Sequence, residues 1–173
     1  MNQSFKIMID IIVFIIIYIL FFYPKWKKEK TLAINTLMYI YLMGVLYFTL
    51  MPIILDLPFC LNHHYIPMNL NAFEDLFMHR GDALRQVILN IIMMVPFGIL
   101  LPIYKTNKKQ KCNILYTVLM TMLFSLFIEI IQTLIHSYSS SDITDIITNT
   151  IGGFIGYIIY IIFKPIINKI FKI

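Results

Sequence analysis

Ser125, Glu129, Gln132 and His136 follow one another at spacings of four, three and four, which on a helix sets them in one stripe. A hydroxyl, a carboxylate, an amide and an imidazole in one line can hold a polar ligand, orient a water or exchange a proton. Most of the stripe lies inside an apolar run, Cys112 to Ile135. An ionisable group at the centre of a membrane helix costs on the order of 2.5 to 3.5 kcal/mol. Glu129 is therefore the leading candidate for function, including that of a general base.

A second stripe follows it. Asp142, Asp145, Asn149, Gly152, Gly153, Gly156 and Tyr160 fall within an arc of about 100° when each residue turns the helix by about 100°. Glu129 precedes Ile135 by six residues, which places it roughly 9 Å below that end of its helix. Asn90, near the start of another apolar run, reaches a similar depth. Asn90, Glu129, Gln132, Asp142, Asp145 and Asn149 are thus expected to line a polar, ligand-binding pocket at the outer membrane surface. Arg85 is the nearest counter-ion in sequence.

Plain structural roles compete with this reading. Intramembrane amides often only join helices, each bond contributing about 0.6 kcal/mol, and for Asn90, Gln132 and Asn149 singly the two readings balance. Asp142 sits where a carboxylate caps a helix N-terminus. Gly152-x-x-x-Gly156, with Gly153 between, reads as helix packing. Glu129 with Asp145 favours function, because two carboxylates are a costly way to join helices. His63, His64 and His79, with Glu74 and Asp75, have no recognised zinc spacing and read as a solvated loop. No metal or cofactor is expected.

The elements that must position these groups follow from composition. Of 173 residues, 60% are hydrophobic, 15% aromatic and 13% charged, against about 25% charged in a soluble domain. That excludes an ordinary soluble protein and, equally, a disordered one. The net charge of +5 does not suggest nucleic acid, since the only arginines are Arg80 and Arg85 and the lysines cluster between apolar runs. About 20 apolar residues span a bilayer, and five windows qualify: Ile7 to Tyr23, Leu32 to Leu55, Gln86 to Tyr104, Cys112 to Ile135 and Ile143 to Phe163. The first ends in Tyr23-Pro24-Lys25-Trp26 without a small-residue cleavage site, so it reads as a retained helix rather than a signal peptide. A kink is expected near Pro96.

The sequence therefore predicts an all-α membrane protein, a bundle of five transmembrane helices forming one domain over residues 1–173. Lys25, Lys27, Lys28 and Lys30, then Lys105, Lys108, Lys109 and Lys111, then Lys164, Lys169 and Lys172 fall on one side of such a bundle. Basic loops stay cytoplasmic, which puts the N-terminus outside and the C-terminus inside. Cys60 and Cys112 then lie at opposite faces and are expected to be free thiols.

Several stretches resemble the VanZ-like family of bacterial membrane proteins over about residues 30–163. Asn69-Leu70-Asn71-Ala72-Phe73 is similar to the family's Asn-Leu-x-Pro-Phe, with Ala72 in place of the proline. Asn90 through Pro96 to Gly98 resembles its Asn-x5-Pro-x-Gly helix. Glu129 and Gln132 match its Glu-x-x-Gln spacing, and Asp142 to Gly156 resembles its Asp-x-x-Asp-x3-Asn-Thr-x-Gly-Gly-x-x-Gly ending. One departure is Ser139-Ser140-Ser141, where the family usually carries an Arg, so a contact made by that Arg does not carry over. The resemblance implies a multi-pass protein of the cell membrane. Its namesake is associated with lowered susceptibility to the glycopeptide teicoplanin.

Three classes of function remain open on these residues. One is a non-catalytic envelope protein of a Gram-positive bacterium whose pocket binds a lipid-linked or cell-wall ligand or an envelope partner. Another is a membrane enzyme acting on a lipid headgroup, with Glu129 as general base and Asp145 or Asp142 orienting it. The last is a small proton-coupled transporter, which five helices would support only as an oligomer. Membrane lipids are the expected surroundings in all three.

Overall fold

The computed structural model describes residues 2–29, 31–55, 67–135 and 141–171. Five helices in it are long and apolar enough to cross a membrane: α1 (Gln3–Trp26), α2 (Leu32–Thr49), α3 (Ala83–Asn107), α4 (Ile114–Ile135) and α5 (Ile143–Phe171). The one-turn helix Glu74–Phe77 precedes α3. No strand occurs among the described residues; the nearest approach to one is a single parallel bridge between Asn69 and Asp142.

The chain is an all-α membrane protein, as its composition predicts, with helix limits that local chemistry moves. The second window overruns, because α2 stops at Thr49 and not at Leu55. Pro52 explains the stop: it lacks an N–H, and the residue before a proline is pushed out of helical geometry. The third window is too short at both ends, since α3 begins at Ala83 and runs through Pro96 and Pro102 to Asn107. Its first and last turns are polar, and a search for apolar residues passes over them. α5 likewise continues past Phe163, through Pro165, to Phe171.

The residues divide into two compact units, Met1–Ile66 with Ile131–Ser139 and Pro67–Ile130 with Ser140–Ile173. In the first, α1 has the reverse of a soluble helix's pattern. Ile12, Ile15, Ile16, Ile19, Leu20 and Phe21 are exposed, while Asp10 is completely buried. Apolar side chains facing outward are what a lipid solvent demands. Near its end α1 widens into π geometry over Tyr18–Phe22. Pro24 has no N–H for the Leu20 carbonyl and its ring crowds that carbonyl, so a wider turn relieves the clash. The α1–α2 contact is aromatic: Tyr18 and Phe22 meet Tyr39 at centroid separations of 5.1 and 5.2 Å. The Tyr39 hydroxyl donates to the Phe14 carbonyl at 2.7 Å.

The second unit is built on α3 and α5, which run parallel. Asn90 meets Asp145, Gly98 meets Gly153, and Thr106 meets Tyr160. Glycines allow this approach. A Cβ on Gly98 would strike the Gly153 carbonyl and lie 2.9 Å from the Gly156 Cα, and one on Gly152 would strike the Ile91 carbonyl. α4 packs here too: a Cβ on Gly153 would collide with Thr121, and Phe97 stacks on Phe124 at 5.3 Å. Met94, Phe97, Leu101, Ile128 and Tyr160 fill the interior.

Candidate functional site

Glu129 lies in the last turns of α4 and is only 3% exposed. Its carboxylate accepts the Asp142 backbone N–H at 3.2 Å, and its carbonyl accepts the Ser141 hydroxyl at 2.9 Å. The side chain of one membrane helix therefore satisfies an amide at the entrance to the next. Free N–H groups there attract anions.

Asp142 completes the entrance. One carboxylate oxygen accepts the Thr144 N–H at 2.7 Å, the geometry of an N-cap, and the other accepts the Asn69 side-chain amide at 3.3 Å. Asp145, in the first turn of α5, accepts the Asn90 amide across 2.6 Å. One turn further, Asn149 is buried, and its amide donates to the Ser125 hydroxyl at 2.8 Å. Its carbonyl oxygen is buried with no hydrogen-bond partner among the described residues. Asn90, Ser125, Glu129, Asp142, Asp145 and Asn149 thus form one polar cluster at the start of α5, with Asp142, Asp145 and Asn90 half-exposed and Glu129 beneath.

Residues outside the predicted set hold this cluster in place. Asn69 donates its N–H to the Ser141 carbonyl at 2.8 Å and accepts the Ile143 N–H at 3.1 Å. Thr144 accepts the Phe73 N–H at 2.9 Å. The stretch Asn69–Phe73 is thereby laced to the start of α5. Its polar residues Asn69 and Asn71 were the available signal, yet the pairing joins positions 73 residues apart, and sequence spacing carries no such information.

Other predicted groups go elsewhere. Gln132 belongs to the first unit, where its amide donates to the Thr49 carbonyl at 2.9 Å. Arg85 pairs with Asp82 at 3.7 Å, and Arg80 with Glu74 and Asp75 at 3.6 Å, all on the surface. His136, Cys60, His63, His64, Ser139 and Ser140 lie outside the described residues. Cys112 is a free, half-buried thiol. No group of three or more His, Cys, Asp or Glu side chains able to hold a metal ion occurs among the described residues.

Asp10 is a polar group that sequence reading passed over. Its two carboxylate oxygens accept the N–H groups of Ile53 and Ile54 at 2.6 and 3.1 Å. These amides follow Pro52, where α2 has ended and helical partners are missing. The signal was a lone carboxylate in the first apolar run. Its partners are backbone groups of two isoleucines and leave no mark in the sequence.

Comparison with known proteins finds relatives of this chain. The VanZ/LLP1 family profile matches residues 8–164. The chain is similar to Protein VanZ of Enterococcus faecium, 33% identical over 124 residues that cover 72% of this chain and 71% of the relative. No solved structure matches it.

Proposed function

The chain belongs to the VanZ/LLP1 family, and we propose from that premise that it is a cell-membrane protein lowering susceptibility to glycopeptide antibiotics of the teicoplanin type. It acts by non-catalytic binding of a lipid-linked or cell-wall ligand at the cluster on the start of α5, which faces outward. The observation that carries this reading is the placement of Glu129: a buried carboxylate in a membrane helix, aligned with a helix N-terminus and roofed by half-exposed Asp142, Asp145 and Asn90. Three carboxylates and amides of both donor and acceptor character suit a ligand rich in hydroxyl and amide groups, such as a sugar–peptide headgroup.

The test is teicoplanin susceptibility of a Gram-positive host expressing the chain or its variants. Glu129→Gln keeps an acceptor for the Asp142 N–H and should accumulate in the membrane at normal levels, because the lost bond strength is about 1 kcal/mol. The protection conferred by the intact chain should nevertheless disappear, and Asp145→Asn should reduce it. Full protection by Glu129→Gln at equal expression would refute the assignment. Chemical conversion of an added cell-wall lipid by the purified chain would replace binding with catalysis.

A further inference from the structure

The opposite end of the second unit carries a cavity of about 580 Å³, within the range of small-ligand sites. Three helices and a turn contribute to it: Thr106 from the end of α3, Lys111 from the turn, Tyr116 from α4, and Tyr157, Tyr160 and Lys164 from α5. Lys105 adds a third cation beside it, with its ammonium 5.0 Å from the centre of the Tyr116 ring. The Tyr160 and Thr106 hydroxyls, 3.3 Å apart, form a polar pair in its wall.

The charge here is one-sided. No acidic residue lines the cavity, and beyond Asp82 the only carboxylate side chains in the sequence are Glu129, Asp142 and Asp145. Along α5, Asp145 is about 29 Å from Lys164 at a rise of about 1.5 Å per residue. Among the described residues, neither Lys111 nor Lys164 pairs with a carboxylate. A separation of about 30 Å is the thickness of the hydrocarbon core, so Lys164 stands where headgroups begin. Lysines scattered at that depth would be ordinary interfacial residues. Here they converge with phenolic and hydroxyl donors on one open cavity.

We propose that this cavity binds a phosphate-bearing anion, either the phosphodiester of an anionic membrane lipid or a soluble phosphate monoester. Lysine ammonium groups and tyrosine hydroxyls supply point charge and donors to the phosphate oxygens. Basic pockets between membrane helices favour anionic headgroups for the same reason. The assignment concerns a different site from the Glu129 cluster, and either can fail without the other.

The experiment uses the purified full chain and native mass spectrometry with phosphatidylglycerol or phosphatidylcholine, and titration with glycerol 3-phosphate as the soluble arm. Wild type should retain phosphatidylglycerol over phosphatidylcholine. The double variant Lys111→Gln, Lys164→Gln should bind it about ten-fold more weakly or worse. The control pair Lys108→Gln, Lys109→Gln, equal in charge and exposed on the same turn, should match wild type. Monodisperse elution of both pairs checks folding, and Lys164→Arg should retain the lipid. Tight binding of glycerol 3-phosphate with the same lysine dependence supports the site and identifies soluble phosphate as its source. Equal losses in both pairs, or no loss in either, would overturn it.

Discussion

The carboxylate of Glu129 in α4 accepts the backbone N–H of Asp142 at 3.2 Å, so a side chain of one membrane helix caps the next. Three acidic residues thereby gather at one helix N-terminus. The positive end of a helix dipole favours each nearby anion by about 0.3 to 1 kcal/mol, which offsets part of the cost of holding charge in this setting. Asn90 adds a donor to Asp145 from a third helix.

Glycine substitutions should separate contact from propensity. Gly153→Ala puts a methyl into the Thr121 side chain, and Gly98→Ala puts one into the Gly153 carbonyl. Each should destabilise the second unit by about 1 to 3 kcal/mol. Gly44→Ala in α2 meets nothing within 4 Å and should be neutral or stabilising by up to about 1 kcal/mol, because alanine is the better helix former. Thermal unfolding of the three purified variants gives the order.

Asp10 carries a different prediction. Asp10→Ala leaves two part-buried N–H groups, those of Ile53 and Ile54, without their acceptor, at a cost of up to about 1 to 3 kcal/mol for each. Asp10→Asn retains one acceptor oxygen and should cost roughly half as much. Comparable midpoints for the two variants in thermal unfolding would contradict the capping role.

The sidedness implied by the lysine clusters is tested by labelling. In a cysteine-free background, Asp75→Cys should react with an impermeant maleimide on intact cells and Lys108→Cys only after lysis. Both positions are exposed. The opposite pattern inverts the topology.

Cys112 should report local burial through its pH dependence. Burial pushes its thiol up from the ordinary value, while the Thr117 hydroxyl at 3.4 Å and the Lys105 charge pull the other way. The thiolate is the reactive form, so alkylation at neutral pH should be slower than that of free cysteine and accelerate as pH rises through the raised value. Lys105→Gln removes one lowering influence and should slow alkylation at neutral pH further. A rate at neutral pH equal to that of free cysteine would refute the shift.

The helices were legible because apolar length is a direct consequence of the solvent they cross, and the start of α5 at Ile143 and the end of α4 at Ile135 were read to the residue. The end of α2 at Thr49 is marked in the sequence by Pro52, which outweighs the apolar residues around it. The stripe rule placed Gln132 with Glu129, but three residues on a helix still differ by about 60° in facing, and Gln132 turns to Thr49. Asn69, Ser141 and Thr144 carried no expected site role because most of their partners are backbone groups, which every residue possesses. Hydropathy names the elements; it does not name which carbonyl a given amide will find.

The glycine contacts of α3 and α5 have a consequence for tolerance. Asn90 and Gly98 are eight residues apart on α3, and Asp145 and Gly153 are eight apart on α5. The two pairs they form across the interface, Asn90–Asp145 and Gly98–Gly153, act as a vernier: the tight coincidence at the glycines sets the alignment at the carboxylate. A slip of one residue would shift the helix by about 1.5 Å and turn it by about 100°, and the backbone collision that follows forbids it. The same ridge that lets the helices touch therefore gauges the amide–carboxylate pair about 12 Å away.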